Sequence, residues 1–404
     1  MSRITAPRYD NKSRAWSAVR DAMLIRLQCA IADFDPLGRP RMDEYGKLKL
    51  RTPTHEAIAL SSMPMMDLAE QYLRMVSPSV ANSMPSSRGA MFQFMFDRAA
   101  LSRYFPEVRH QDGWRAPVAL SGATGDLPGL MADVLNKAAT TQYVQARRVW
   151  RSWCRRAETA DFKERKVVAL EDIGRLPELK EGEEIKFFAI KERSSQSYGL
   201  VEYAAGAMIT RQAMLNDDVD VLAQIPARFA EAAARLEDWQ AHTVVLEGNP
   251  VMGDGSALFA TAHANLTTGT LSVGSLGSAR TKMARQTTTD GDVLDIAGRV
   301  LIVPPELSTT AEQVMDSTGR NSRVLGEPPI EVAMTPHLAS ATQWYLAADP
   351  AMLPAAEMLF LASEPEPQIT SRIEFASGGM QVRCTHCVAA APIDYRAITR
   401  SSGA

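Results

Sequence analysis

Asn216–Gly248, NDDVDVLAQIPARFAEAAARLEDWQAHTVVLEG, is the stretch on which the reading of this chain turns. Val219, Leu222, Ile225, Phe229, Ala233, Leu236 and Trp239 recur at three- and four-residue steps, which places them on one face of an α-helix. Asn216, Asp217 and Asp218 supply capping oxygens and negative charge at its start, and Gly248 followed by Pro250 supplies a stop. The Ala-rich centre, AEAAA, has high helix propensity. A helix of this span reaches ~45 Å. Pro226 leaves two readings open: a kink, or the first residue of the main helix with a separate turn before it. Taken alone the pattern is that of a long core helix, and its flanks decide more.

On the N-terminal side, KVVAL (166–170) and IKFFAI (185–190) are strand-forming runs around a polar tip, RLPELKEGEE, and predict a long hairpin. The tip carries Lys180, Glu181, Glu183 and Glu184 and has little to bury itself against, so the hairpin calls for a partner surface. YGLVEYAAGAMITRQAML adds strand leading into the helix. On the C-terminal side, SVGSLGSARTKMARQ (272–286) begins with a serine cap and continues as a helix. RVLIVPPEL (299–307) is a buried strand stopped by two prolines, and STTAEQVM opens another helix. This alternation predicts an α/β subdomain from about 270 to 360. ITSRIEFA and MQVRCTHCVAAAPIDYRAI return to strand. If they pair with the 160–215 strands, the domain holding the long helix is discontinuous, with the α/β subdomain inserted into it.

Toward the N-terminus, SGATGDLPG (Ser121–Gly129) reads as a boundary. A helix is expected from Leu130 to about Arg156, its second half basic: Arg147, Arg148, Arg151, Arg155 and Arg156. Cations there complement the helix dipole as a solvated end; the functional alternative is contact with phosphate or with an acidic neighbouring subunit. Residues 1–120 read as helical, with helices around Trp16–Leu27, Met65–Val76 and Met91–Tyr104. Methionine is crowded in this region and packs adaptably, which suits either a loosely packed helical region or a segment with changing partners.

The composition is that of an ordinary globular chain of 404 residues: 46% hydrophobic, 23% charged, formal net charge −3. No apolar run approaches the ~18 residues of a membrane helix, and no strong pull toward nucleic acid follows from the total charge. The four cysteines fit a reducing compartment. Cys384-Thr-His-Cys387 lies within a strand-like run, where the two thiols face opposite sides, and nothing nearby completes a four-ligand metal site. Six histidines are scattered without metal-ligand spacing. Gly253 and Gly255 suggest a phosphate cradle, but GxxxxGK[ST] and GxGxxG are both absent, so a turn leaving the helix is the better account. No catalytic arrangement stands out, and no enzyme activity, cofactor or metal is expected.

Several stretches in fixed order carry a resemblance: ITRQAMLNDD into PARFAEAAARLEDW, LEGNPVMGDGSALFATAHANL, SLGSARTKMARQ, LIVPPELSTTAEQVM, and a final strand ending in IDYRAI. From about Gly125 to Ala404 the chain resembles the Mu-like phage major head subunit family and the capsid half of prohead protease–major capsid fusion proteins. That family is similar to the Hong Kong-type (Johnson) tailed-phage capsid proteins. The resemblance implies an α+β fold with an N-arm (121–162), an E-loop hairpin (163–200), a peripheral domain with a spine helix (201–269 and 361–404) and an axial domain (270–360). Residues 1–120 match no motif of the family and are expected to be a scaffold-like region or a permanent extension. The implied function is a major capsid protein forming pentamers and hexamers of an icosahedral shell around double-stranded DNA, held without sequence specificity. The implied partners are other copies of the chain, a portal, a scaffold and a prohead protease, with no membrane. The implied location is the virion capsid, assembled in the bacterial host cytoplasm. Arg147, Arg148, Arg151, Arg155, Arg156, Lys180, Glu183 and Glu184 are the candidates for inter-subunit or DNA-facing contact. The alternatives are an encapsulin-like nanocompartment shell and, from another class, a nucleotide-binding α/β enzyme.

Overall fold

The computed structural model describes residues 9–26, 126–170, 192–210, 219–288, 291–325, 329–373 and 379–404, together with short pieces between 41 and 71 and residue 212. The elements run α1 (Tyr9–Arg26), α2 (Asp126–Gln145), β1 (Cys154–Thr159), β2 (Arg165–Leu170), β3 (Glu192–Tyr198), β4 (Val201–Ile209) and α3 (Val219–Trp239). They continue with β5 (Leu266–Thr267), α4 (Val273–Ala284), β6 (Gly298–Val303), α5 (Ser308–Leu325), β7 (Glu331–Met334), β8 (Trp344–Ala348), β9 (Ala356–Leu361), β10 (Gln368–Ile373), β11 (Met380–Pro392) and β12 (Ile398–Ser401). Helix and sheet are mixed in the α+β manner expected.

The long helix forms as α3, and a π-helical segment, Gln240–Glu247, continues it to Gly248. Pro226 lies inside α3, buried, rather than at its start. The residue that closes the helix has to be glycine, because a Cβ at Gly248 would sit 2.2 Å from the Val244 carbonyl oxygen. Trp239 departs from the expected core face and is 41% exposed. Glu237 and Asp238 beside it are buried instead.

Contacts divide the chain into two compact units. The first comprises Met1–Ala146, Ala204–Ala233 and Glu366–His386. In it, α2 lies against β10, and Leu135, Ala139, Ile209, Ile369, Met380, Val382 and Cys384 form a core with Ile225 and Phe229 against it. The Asn136 side chain acts as a missing strand: its Oδ1 accepts from the Ile369 amide at 2.6 Å and its Nδ2 donates to the Ile369 carbonyl at 2.7 Å. Tyr143 packs with Ala230 and Ala233, small residues that let it approach α3.

The second unit comprises Arg147–Tyr203, Ala234–Pro365 and Cys387–Ala404. Its centre is a mixed sheet in the order β5-β12-β8-β6-β7, with β6 and β7 parallel and β8 antiparallel to both β6 and β12. The runs LIV in β6 and WYLAA in β8 are wholly buried, as strands covered on both faces must be. Ser272 caps α4 by accepting from the Ser275 amide, as the sequence suggested. Pro304 and Pro305 end β6, and α5 follows from Ser308. Within this unit β9 pairs in parallel with β1 and antiparallel with the second half of β11; the first half of β11 pairs with β10 inside the first unit.

Two expectations need correction. The helix predicted to Arg156 ends at Gln145. Val149–Ser152 is a single 3-10 turn and Cys154–Thr159 is strand. Burial of Trp150 and Trp153 overrides the local helical pattern here. The hairpin is real at its base, but β2 pairs with Glu192–Tyr198, further along than IKFFAI. The tip 171–191, and the helices expected at 65–76 and 91–104, lie outside the described residues.

Candidate functional site

The arginine segment does not form one basic helix face. Arg147 is exposed before the 3-10 turn. Arg148 points inward, its side chain buried and its Nη1 3.9 Å from Glu237 Oε2. Arg151 is exposed with its guanidinium 5.7 Å from the Trp150 ring centre. On β1, Arg156 lies 4.8 Å over Phe360 and bonds Glu158 at 3.2 Å, while Arg155 donates from Nε to Glu357 at 2.9 Å and also from Nη2. Arg148 and Arg155 therefore serve internal carboxylates. Arg147, Arg151 and Arg156 are exposed, and so is Arg155 despite its bond to Glu357. Lys180, Glu183 and Glu184 lie outside the described residues.

Two buried polar clusters, neither singled out by sequence, organise this region of the second unit. In the first, Glu237 accepts from Trp150 Nε1 at 2.8 Å and Asp238 accepts from the Trp150 amide at 2.9 Å. Burial raises the Asp238 carboxyl above its ordinary value against the lowering effect of the Trp150 and Val149 amides. His242 holds its Nδ1 2.7 Å from the Asp238 carbonyl, and its Nε2 accepts from Trp153 Nε1 at 3.3 Å. That arrangement requires the neutral ring, and burial pushes the His242 pKa down to about 4.

The second cluster lies at the hairpin root. Glu357, on β9 and fully buried, faces Arg155 across the β1–β9 ladder. Its Oε1 accepts from the Tyr198 hydroxyl at 2.5 Å and stands 3.5 Å from Arg165 Nη1. Burial, reinforced by Glu357, holds the Tyr198 phenol well above its usual pKa, so it remains a donor. A lone carboxylate inside the apolar run AEMLFL was the signal available, because a buried charge needs partners.

The 249–259 glycine loop is a turn closed on itself. The amides of Met252, Gly255, Ser256, Leu258 and Phe259 bond to Ser256 O, Met252 O, Asp254 Oδ1, Pro250 O and Asn249 Oδ1. Those amides are thus spent within the loop and do not cradle a phosphate. Asp254 Oδ2 meets His263 Nε2 at 2.7 Å, and His263 stacks on Tyr395 with ring centres 3.8 Å apart. Among the described residues no group of three or more His, Cys, Asp or Glu side chains could hold a metal. Cys384 and Cys387 join different apolar clusters, as alternation along a strand dictates. Burial raises both thiols, Cys384 to about 11, which keeps them protonated.

No curated protein matches this sequence. Among solved structures it is similar to a virus-like particle from Pyrococcus furiosus (10% identity, 66% of this chain and 98% of that one, TM-score 0.42). It is similar to the capsid of Myoviridae phage XM1 (12%, 60% and 86%, TM-score 0.39). A phage-related protein from Bordetella bronchiseptica is similar at 11% identity over 66% of this chain and 95% of that one, with a TM-score of 0.43. The family model described as phage capsid protein matches residues 193–401, from β3 through α3 and the α/β unit to β12. With more than half of its length matched in this way, the chain belongs to the phage capsid protein family.

Proposed function

We propose that this chain is the major capsid (head) protein of a tailed phage or prophage of the Mu-like kind, assembling into the pentamers and hexamers of an icosahedral shell around double-stranded DNA. The observation that carries the reading is the family match over 193–401, which begins within the returning strand of the hairpin. The hairpin itself supports it. Among the described residues β2 and β3 pair only with each other, and a two-stranded ribbon is marginal without a partner surface. In this reading the hairpin is the E-loop, α3 with its π-helical extension is the spine helix, the sheet around β8 belongs to the axial domain, and residues 121–162 act as the N-arm. Neighbouring copies bury what each chain leaves exposed, so stability grows with assembly. Portal, scaffold and prohead protease are further partners in the complete head, beyond what the chain needs to associate with itself, and DNA is enclosed without sequence-specific contact. Arg147, Arg151 and Arg156 are the cations available for contact with neighbours or DNA.

Negative-stain microscopy of the purified chain, over a range of concentrations and with residues 1–120 present or deleted, tests this. Capsomer rings, sheets or closed shells are expected. A uniform small particle in every sample would overturn the reading.

A further inference from the structure

The hairpin β2–β3 has no backbone ladder to the rest of its unit among the described residues. Its direction is therefore set by side chains at its base. Arg165 and Tyr198 are direct partners there, the first pair of the ladder. Both reach the same oxygen, Oε1 of Glu357. The other oxygen, Oε2, is held by Arg155, the ladder partner of Glu357 on β1. One carboxylate thus joins the root pair of the hairpin to a cross-strand pair of the sheet. Other contacts of the hairpin involve single groups. The Tyr198 ring packs against a cluster of Leu200, Leu359, Leu361 and Cys387. Gln196, half-buried, donates to the Val251 carbonyl at 3.0 Å and lies 3.5 Å from Met252 Sδ.

We infer that Glu357 is the positioning residue of the hairpin: its carboxylate, anchored by Arg155, clamps Arg165 and Tyr198 and fixes the direction in which the hairpin leaves its unit. The charge matters as well as the shape. Without it, Arg155 and Arg165 face one another as like charges, and the hairpin is pushed off the sheet. The consequence for particle formation rests on the assembly proposed above; the clamp itself does not.

The test separates the two sides of the carboxylate. Arg165→Gln with Tyr198→Phe cuts the hairpin side and leaves the Arg155–Glu357 pair intact, so the sheet stays folded. Hydrogen exchange on the unassembled full-length chain should show the amides of 166–170 and 193–198 exchanging at least tenfold faster in that variant, with β9 and β11 unchanged. Glu357→Gln should loosen the same amides. Arg165→Lys, which restores a cation but not the guanidinium fork, should return protection to within threefold of the parent. In assembly, the double variant should lower the yield of closed shells at least fivefold in favour of open or irregular sheets. Unchanged exchange at the root, or equal loosening of β9 and β11, would overturn the clamp. A parent chain that never assembles would instead overturn the capsid reading, with the exchange result still judging Glu357.

Discussion

The first half of α3 and the half that runs on through the π-helical segment are built by opposite means. Up to Ala233 the helix buries apolar surface: Ile225 and Phe229 pack on one cluster, and Ala230 and Ala233 on Tyr143. Beyond it, the helix buries polar groups as well, with Glu237, Asp238, Gln240 and His242 inside and Trp239 outside. The change begins on the last α-helical turn, at Glu237 and Asp238, and continues into the π-helical turns from Gln240. π-helical turns are uncommon and gather where a helix serves a special local need. Glu237 and Asp238, still α-helical, accept from Trp150, and His242, on the π-helical turns, accepts from Trp153. A helix can therefore change its chemistry along its length without a break in its hydrogen-bonded rise.

Glu237→Ala should produce the largest effect. It removes the acceptor of the Trp150 indole and the carboxylate nearest the buried Arg148 guanidinium, and should cost about 3–5 kcal/mol in denaturant unfolding. A loss below about 1 kcal/mol would mean that the second half is held by apolar packing like the first.

The pH dependence comes next. The folded chain keeps His242 neutral down to about 4, whereas the unfolded chain takes up that proton near 6.5. Between those values the unfolded state binds more protons. Stability is thus intact above the unfolded value and falls by about 3 kcal/mol as pH drops toward the folded one. His242→Gln should remove this slope, and a slope that survives would assign it to another group. Ala230→Leu, in the first half, should cost about 1–3 kcal/mol by overpacking against Tyr143, with no change in pH dependence. Trp239→Ala should be the smallest, about 0.5 kcal/mol or less in the unassembled chain, because this ring is on the surface. A cost of several kcal/mol would restore Trp239 to the core face on which its spacing placed it.

This contrast also explains what could be read from the sequence. Periodicity and caps locate elements that are stabilised locally or by one apolar face. The Ser272 cap, the proline stop after β6, the first half of α3 and the alternation that parts Cys384 from Cys387 all belong to that class. The segment after Gln145 did not yield to it, because a basic run at helical spacing looks the same whether or not two nearby tryptophans draw the chain into a turn and a strand. Glu237–Asp238 were hidden for a related reason, and Glu357 showed only its place in an apolar run, not its partners. A carboxylate looks solvated in sequence until its donors, Trp150, Arg155, Arg165 and Tyr198, are brought to it by distant parts of the chain. Of the candidate contact residues, Arg147, Arg151 and Arg156 are exposed, Arg155 is exposed but bonded to the buried Glu357, and Arg148 is buried beside Glu237.

The central claim, that this phage capsid family member builds a shell from copies of itself, is tested most directly by sedimentation velocity over a broad concentration range. The account predicts a monomer or capsomer boundary that gives way to much faster-sedimenting particles above a threshold concentration, for the full chain or for the chain without residues 1–120. A single slow boundary at every concentration in both would contradict it.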